Sequence, residues 1–559
     1  MRPVELEAMI KEQQETGEAL GQVLIRRWVV TEKQILQALA EQQGMPFLDL
    51  REIKIDEKAI KSVPAKFVWH YKVMPINIEG NILTVATSNP FDMWPLDDLE
   101  TNLGYRTEKV LATSSDILEA IKKYYGVGAE TIERILTEEK EDKGQRAEAK
   151  EEKIEDLEKL AGETSVIKLV SQILQQAIND RATDIHMEHF RNEVILRYRI
   201  DGILYDTQVD ENIKYLYLAI VSRIKIMSDL DIVERRLPQD GRAKVKIGQS
   251  EYDLRVSVVP TLYGENIVIR ILPTTMLFSI PDLGMPKDGA EILERLLKKP
   301  HGIIFVTGPT GSGKSTTLYT CLSKLNTRER KIITIEDPVE YELRGVSQIQ
   351  INPKINLTFA RCLRSMLRHD PDVIMVGEVR DPETAEITIQ TALTGHLVFS
   401  TLHTNDAAGG ITRLIDMGID PFLISSSVEA FIAQRLIRVI CQKCKEEDKG
   451  QKAEVKKQIE SDLRGILEND NQLKNIEIHK GKGCKACNNT GYKGRTGIYE
   501  ILLVNEEIRK LILQKVSSDV IKERAVELGM RILLQNGWEK VLAGITTVEE
   551  ILRVTQMEE

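Results

Sequence analysis

The sequence lacks any apolar run long enough to cross a membrane, although apolar residues make up 42% of its 559 residues. A membrane-spanning helix needs about 18 or more consecutive apolar residues, so we predict no transmembrane segment. The first twenty residues are mostly polar and carry acidic as well as basic side chains, which is not the pattern of a secretory signal peptide. These absences predict a soluble globular protein without an export signal.

An excess of basic residues is also missing. Lys and Arg number 76 against 86 Asp and Glu, a net charge of −10. Non-specific binding of DNA or RNA relies on clustered Lys and Arg, so the balance disfavours a nucleic-acid partner without excluding a local basic patch. Cysteine is scarce, with six residues, and we expect a reducing compartment. The length favours three or four domains.

A glycine-rich loop follows the short apolar run Ile303–Val306. Its spacing is G-x-x-x-x-G-K-S, with the residues Gly308, Pro309, Thr310, Gly311, Ser312, Gly313, Lys314, Ser315 and then Thr316. The glycines let backbone N–H groups turn towards phosphate oxygens. Lys314 supplies a cation for the β- and γ-phosphates, and the Ser315 hydroxyl can bind Mg²⁺. A helix from Thr316 to Leu325 would present its positive end to the anion, so the loop predicts binding of ATP with Mg²⁺.

Three more strands are predicted beyond this loop, at Lys331–Ile335, Val373–Val376 and Leu397–Thr401. They alternate with helical patterns, as in a doubly wound α/β sheet. An acidic or histidine residue follows each strand, namely Glu336, Asp337 and Glu340 after the first, Glu378 after the second and His403 after the third. Because ligands bind beyond the carboxyl ends of such strands, these side chains are predicted to surround the nucleotide.

Hydrolysis of ATP needs a held Mg²⁺ and a water aimed at the γ-phosphorus. We assign Glu340 as the base or water-orienting residue, with Glu336 and Asp337 as second choices. Glu378 is predicted to serve alone as the Mg²⁺-linked or water-linked acid, because Gly377 stands where many P-loop enzymes carry Asp. His403 is a candidate sensor of the γ-phosphate.

A second histidine, His396, lies at the other end of the strand that His403 follows. Seven extended residues span about 20 Å or more, so the two should not chelate one metal. An ordinary core or hydrogen-bonded histidine is the default interpretation.

Two C-x-x-C pairs predict a metal site. The pairs are Cys441 with Cys444 and Cys484 with Cys487, separated by a charged stretch of about forty residues. Four thiolates complete tetrahedral zinc coordination with no open position, so we predict structural Zn²⁺. Glycines at 481, 483, 491, 494 and 497 are interpreted as the tight turns of this knuckle. Cys321 and Cys362 are predicted to be buried helix residues.

The remaining chain suggests four parts. Residues 1–126 read as a mixed α/β domain, with a helix at Thr31–Gln43 and a capping box of Thr31 and Gln34. Residues 127–162 read as a charged linker. Residues 163–280 read as an α+β domain, and 281–559 as the ATPase domain with a zinc insert at 436–500 and helices at 505–559.

Arginines stand out in the α+β domain, at Arg236, Arg242, Arg255 and Arg270. A charge inside a strand pattern needs a partner. Structural ion pairs and contact with a phosphate across a domain or subunit boundary both remain open.

Together the motifs resemble the secretion ATPases of type II secretion and type IV pilus assembly. The match is carried by the phosphate loop, the aspartate box Ile335–Tyr341, the atypical Walker B segment Leu363–Asp381, the histidine box Thr394–Asp406, the RLPQDGR run Arg236–Arg242 and the four cysteines. The resemblance implies a RecA-like motor domain preceded by a PAS-like α+β domain, in a homo-hexamer on the cytoplasmic face of the inner membrane. It implies Glu340 as general base, Glu378 as the Walker B acid, and Arg242 and Arg255 as phosphate contacts.

Two further segments bear on whether the chain resembles the secretion or the pilus branch of the family and on the role of its N-terminal domain. The run Arg413–Gly418 followed by Pro421–Leu423 resembles the secretion branch more closely than the pilus branch. Residues 17–50 resemble a domain that binds cyclic di-GMP in some members, but Ala19 replaces its Arg and Trp28 its second Gly. Docking of residues 1–126 to a membrane-anchored platform protein is therefore favoured over dinucleotide binding. A nucleic-acid motor and a nucleotide-gated scaffold with negligible turnover are the competing functions.

Overall fold

The computed structural model describes residues 9, 12–13, 20–27, 29–91, 99–101, 103–129, 131–132, 135, 164–273, 279–450, 453–464 and 476–555. The chain divides into two units, residues 1–272 and 273–559. Ala19, Trp28 and residues 136–162 of the predicted linker lie outside the described residues. Among the helices that are described, none combines the length and the apolar character required to cross a membrane.

The first unit begins with a small α/β fold. Its helices are Leu20–Arg26, Glu32–Gln43, Glu57–Ser62, Ala65–Tyr71 and Ser114–Tyr125. Its strands are β1 (Met74–Glu79), β2 (Ile82–Thr87) and β3 (Arg106–Leu111), with β2 antiparallel to β1 and parallel to β3. The predicted capping box of Thr31 and Gln34 is present, so that helix is confirmed.

A six-stranded sheet follows in the same unit. Its strands are β4 (Ala182–His189), β5 (Val194–Ile200), β6 (Ile203–Thr207), β7 (Gln239–Ile247), β8 (Ser250–Thr261) and β9 (Gly264–Pro273). They lie in the order β6-β5-β4-β9-β8-β7. Two helices, Thr164–Asn179 and Ile213–Met227, supply apolar residues to the same core as the sheet. Helices together with an antiparallel sheet are the α+β structure expected of this part of the chain.

The beginning of the range predicted as a linker is packed rather than solvated. Ile132 and Ile135 are buried in the core of the six-stranded sheet, and Val127 packs against that core. These residues are apolar, whereas the linker prediction was based on the Glu- and Lys-rich stretch that follows them.

The second unit is built on a seven-stranded sheet. Its members are β10 (Gly302–Thr307), β11 (Ile332–Glu336), β12 (Val346–Gln350), β13 (Val373–Val376), β14 (Leu397–Leu402), β15 (Val428–Ile440) and β18 (Tyr492–Leu503). The order is β12-β11-β13-β14-β10-β15-β18, and only β18 runs antiparallel to its neighbour. The four predicted strands are confirmed, while β12, β15 and β18 were not anticipated.

Helices cover both faces of this sheet. They are Lys287–Leu296, Lys314–Leu325, Phe359–Met366, Pro382–Leu393, Ala408–Asp416, Pro421–Ser427, Ala453–Leu463, Glu506–Leu513, Ser518–Glu527, Leu533–Leu542 and Val548–Thr555, with 3-10 turns at Ile280–Leu283, Pro353–Ile355, Leu367–His369 and Lys485–Cys487. Successive residues of β10 enter different cores, Ile303 and Phe305 on one side and Ile304 and Val306 on the other. This alternation shows that the strand is buried on both faces.

The cysteine insert leaves the sheet at the end of β15 and returns at the start of β18. It contains a small hairpin, β16 (Lys445–Glu447) with β17 (His479–Gly481). Gly494 and Gly497 lie within β18, so interpreting them as turns of the knuckle was wrong. Gly494 has φ 84° where the pairing of β15 with β18 shifts register, and a Cβ atom at Gly497 would lie 2.3 Å from the hydroxyl oxygen of Tyr499. Glycine spacing alone does not distinguish a turn from a bulge or a crowded position within a strand.

Candidate active site and metal centre

The carboxyl ends of the central strands meet at one edge of the seven-stranded sheet. Thr307 at the end of β10 is paired with Leu402 of β14, and Val376 of β13 is paired with Ser400. Ile335 of β11 lies opposite Val376 on the other side of β13. The phosphate loop, the Glu378 segment and the His403 segment therefore start from neighbouring strand ends, as the sequence predicted.

The phosphate loop occupies a tight passage beside β15. Gly308 has φ 145°, and a Cβ atom there would lie 2.6 Å from the carbonyl oxygen of Gln434. Only glycine fits this position without displacing backbone. The Lys314 ammonium donates to the carbonyl oxygens of Gly308 at 2.7 Å and Pro309 at 3.0 Å, so it currently braces the loop itself. Lys314 and Ser315 begin the Lys314–Leu325 helix, which places the helix N-terminus at the loop.

Glu378 and His403 are brought together at the next strand ends. The Glu378 carboxylate is nearly buried, and its Oε2 lies 2.7 Å from Nε of Arg380 and 3.5 Å from Nε2 of His403. Burial and the Lys314 charge lower the pKa of His403, against the opposing effect of Glu378. His403 is therefore held neutral around pH 7, able to donate one ring N–H to an acceptor.

Steric crowding explains why glycine occupies position 377, where many P-loop enzymes have an acid. A Cβ atom at Gly377 would lie 3.1 Å from the carbonyl oxygen of Ile335 and 3.3 Å from Cα of Glu336. The strand end also bonds closely to its neighbours, with Gly377 N–H donating to Ile335 at 2.7 Å and Thr401 donating to the Gly377 carbonyl at 2.7 Å. A side chain at this position would require the closely bonded strand ends of β11 and β13 to shift.

The three acids after β11 occupy different environments. Glu336 is buried and accepts hydrogen bonds from the Tyr319 hydroxyl at 2.5 Å and the Thr334 hydroxyl at 2.6 Å. Asp337 is exposed, and Glu340 is half-buried on the loop beyond it. Because the Glu336 carboxylate is engaged inside the domain, the environments favour Glu340 over Glu336 for contact with water.

His396 lies at the opposite end of β14 from this cluster. Its Nδ1 lies 2.9 Å from the carbonyl oxygen of Thr391 and 3.1 Å from the hydroxyl of Thr394. It is a hydrogen-bonded histidine, which was the default interpretation.

The sequence reasoning missed two residues of β15 beside the phosphate loop. Gln434 accepts a hydrogen bond from Thr317 at 2.7 Å, and Arg435 donates to the carbonyl oxygen of Asn405 at 2.7 Å. Both side chains are buried. A polar pair inside an otherwise apolar run was the available signal, but without the strand itself nothing connected it to a loop more than 100 residues earlier.

The four arginines noted in the first unit separate into two kinds. Arg236 pairs with Glu234 at 2.8 Å, and Arg270 pairs with Asp184 at 2.9 Å. Arg242 of β7 and Arg255 of β8 are direct cross-strand neighbours. Like charges directly opposite each other are unfavourable in a sheet, so both guanidinium groups need negative charge or hydrogen-bond acceptors nearby.

The four predicted cysteines form one cluster. The sulfur separations are 3.8 Å for Cys441 and Cys484, 3.8 Å for Cys484 and Cys487, and 3.9 Å for Cys444 and Cys487. All four sulfurs lie within 4.8 Å of one another, an arrangement that could hold a metal ion. Each C-x-x-C closes a turn, since the N–H of Cys444 donates to Cys441 and that of Cys487 to Cys484. Cys321 and Cys362 are buried helix residues, as expected.

The first testable prediction concerns the protonation of Lys314 when ATP binds. Burial, with the neighbouring Arg435 charge, lowers the pKa of Lys314 to about 8 from its ordinary 10.5. Bound phosphates would raise this pKa again, so ATP binding at pH 9 should take up close to one proton. Calorimetric titration in two buffers of different ionisation heat measures the uptake. Lys314→Arg, which stays charged, should abolish the buffer dependence, and equal heats for the native protein would contradict the expectation.

The known proteins that this chain resembles agree with a nucleotide site at the phosphate loop. The sequence profile of the family described as "Type II/IV secretion system protein" matches residues 159–553, and that of the MshEN domain matches residues 43–131. The chain belongs to the type II/IV secretion system protein family. The recognition made from its motifs is thereby confirmed, and this family assignment supports ATPase activity at the phosphate loop.

Two relatives of this secretion-system ATPase align over nearly its whole length. The type IV pilus assembly ATPase PilB of Myxococcus xanthus is 40% identical over 546 residues, which is 97% of this chain and 94% of that protein. The type II secretion system protein E of Xanthomonas campestris is 41% identical over 549 residues, with the same two coverages. Both predicted functional classes are thus represented among its relatives.

Solved structures support the fold. The Legionella pneumophila ATPase DotB matches with a TM-score of 0.50 and 21% identity, covering 69% of this chain and 95% of that one. At this identity the likeness concerns the fold alone. It agrees with the predicted RecA-like motor domain, and the MshEN match agrees with a separate N-terminal domain of mixed α/β structure.

Proposed function

We propose that this ATPase is a hexameric motor that powers protein secretion by the type II system through assembly of a pseudopilus. The observation that carries the proposal is the alignment of 97% of the chain with a type II secretion system protein E, together with a phosphate loop set among Glu378 and His403. Assembly of a type IV pilus is the second candidate, favoured by the equally complete alignment with PilB.

The proposed chemistry gives each side chain one task. Lys314 and the loop N–H groups bind the phosphates, Ser315 ligates Mg²⁺, and Glu378 supports the ion or its water. Glu340 orients the attacking water and takes its proton. His403 reports the γ-phosphate by donating its ring N–H, while Arg242 and Arg255 contact phosphate. The exposure of Glu340 relative to the buried Glu336 supports its assignment, and the family match over residues 159–553 supports the two arginines.

For the cysteine cluster we propose structural zinc. Zn–S bonds of about 2.3 Å in a tetrahedron place the sulfurs about 3.8 Å apart, and the three separations measured are 3.8, 3.8 and 3.9 Å. Four protein ligands leave no position for a reacting water, so the ion would stabilise the insert and take no part in hydrolysis.

The proposed setting is the cytoplasmic face of the inner membrane, with residues 1–126 and one face of the ring docked to platform proteins. Affinity purification of the full chain from membranes, followed by identification of its partners, tests this setting. Secretion-platform proteins are expected; pilus-platform proteins would assign the second candidate.

A nucleic-acid motor is the main competing class, and turnover measurements address it. ATP hydrolysis by the full chain is expected to be unchanged by added single- or double-stranded DNA, in keeping with the net charge of −10. Strong stimulation by DNA would contradict the proposal.

A further inference from the structure

A buried tyrosine hydroxyl links the phosphate-loop helix to the loop that carries Glu340. Tyr319 lies in the Lys314–Leu325 helix, with 5% of its surface exposed. Its hydroxyl accepts the backbone N–H of Glu340 at 3.2 Å and that of Tyr341 at 3.4 Å. No motif in the sequence pointed to this residue.

Glu336 fixes the direction in which the Tyr319 hydroxyl donates its proton. The hydroxyl has one proton, and it donates that proton to the Glu336 carboxylate at 2.5 Å. Burial and the nearby Glu336 charge raise the pKa of Tyr319, so the proton stays in place. The oxygen lone pairs are then available to accept the two N–H groups of the loop.

The far side of the same loop is held by Gln348 of β12. Its amide nitrogen donates to the carbonyl oxygen of Tyr341 at 2.9 Å and to Glu336 at 3.1 Å, and its carbonyl accepts the N–H of Leu343 at 2.7 Å. The backbone from Glu340 to Leu343 is therefore fastened at both ends to one buried polar network.

We propose that Tyr319, backed by Glu336 and Gln348, is a positioning residue that sets the place of Glu340 relative to the phosphates. The inference rests on the proposed role of Glu340. Tyr319 follows Lys314 by five residues in one helix, a rise of about 7.5 Å. The helix that presents Lys314 and Ser315 to the nucleotide thus also holds the backbone of the proposed base, without an intervening mobile segment.

The position of Glu336 explains why two glutamates stand four residues apart in this box. Glu336 accepts from Tyr319, Thr334 and Gln348 and serves as the anchor of the network. Glu340 stands on the loop that the network holds. An acid engaged by several donors is a poor proton acceptor, whereas a loop acid with a fixed backbone can aim at a water.

Tyr319→Phe tests the role because it removes the hydroxyl and keeps the ring. We expect kcat for ATP hydrolysis to fall about 10- to 100-fold, the range for small misplacement of a catalytic group, with the KM for ATP changed less than about twofold. Amide hydrogen exchange should accelerate within residues 337–345. Gln348→Met, which removes the other attachment, should give the same split between kcat and KM if Tyr319→Phe does not fold.

Tyr198→Phe is the matched control. Tyr198 is also buried, at 1% exposure, and its hydroxyl donates to a backbone carbonyl, that of Ile173. We expect its kcat to stay within twofold of the native protein. If Tyr319→Phe matches this control while Glu340→Gln has lost turnover, the positioning role is overturned alone. If Glu340→Gln keeps full turnover, the base assignment fails and the positioning role with it.

Discussion

Glu340→Gln is expected to lower ATP turnover by about 1,000-fold, the middle of the range for loss of a general base. The amide keeps the size of the side chain but cannot accept the proton of the attacking water. Phosphate release measures turnover, and titration with a fluorescent ATP analogue measures binding. Binding should stay within about twofold, because Lys314 and the loop N–H groups are untouched.

Glu342→Gln is the matched control for this change. Glu342 is an exposed acid two residues further along the same loop, so it tests the effect of removing one negative charge from the region. Its turnover should equal that of the native protein. Equal losses in both variants would assign the effect to the electrostatic field of the loop, and full turnover in Glu340→Gln would remove Glu340 from the base role.

Lys314→Ala is expected to weaken ATP binding itself, a defect distinct from the loss of hydrolysis in Glu340→Gln. Lys314→Ala removes the cation for the phosphates and also the two hydrogen bonds that brace the loop at Gly308 and Pro309. Weakened binding of the fluorescent ATP analogue distinguishes this variant from Glu340→Gln, which is expected to bind ATP without hydrolysing it.

Local sequence signals were sufficient where one short segment determines the structure. The capping box at Thr31 reports a helix start through two side chains three residues apart. The phosphate loop reports a strand, a turn and a helix through glycine spacing. The two C-x-x-C pairs report a four-sulfur cluster because tetrahedral coordination restricts ligand spacing.

Other features depend on contacts between distant segments and were not predictable. Strand β15 carries Gln434, Arg435 and Arg438, which break the apolar pattern of a central strand. Those polar groups are satisfied only in the folded sheet, Gln434 by Thr317 and Arg438 by Glu550. The pairing of Tyr319 with the Glu340 loop has the same origin, since their separation of 21 residues has no periodic signature.

Within the active site, the sequence identified candidate acids but could not rank them by environment. Glu336, Asp337 and Glu340 lie on one short segment and look equivalent in composition. The fold buries Glu336 against Tyr319 and leaves Asp337 exposed. Burial and hydrogen bonding engage the Glu336 carboxylate inside the domain, and both arise from tertiary packing.

Loss of zinc should be the largest effect on local stability. Binding of structural zinc by four thiolates contributes on the order of 10 kcal/mol to the fold around it. In the described part of the insert between residues 441 and 491, regular structure is limited to a hairpin of three-residue strands, the Ala453–Leu463 helix and one 3-10 turn. We expect one zinc per chain by elemental analysis of protein purified without chelator. Cys441→Ser should bind no stoichiometric zinc and should be cut rapidly within residues 441–491 by limited proteolysis.

The effect of that change should extend to hydrolysis, because β15 connects the two sites. Cys441 directly follows β15, and the same strand carries Gln434 and Arg435 beside the phosphate loop. Fraying from the cysteine end would loosen Arg435 and lower turnover, while Cys362→Ala, at a cysteine outside the cluster, should keep both zinc and proteolytic resistance. Zinc near zero in the native protein, or full zinc in Cys441→Ser, would contradict the zinc site. If Cys441→Ser lacks zinc but hydrolyses ATP at the native rate, loss of zinc does not disturb the phosphate loop through β15.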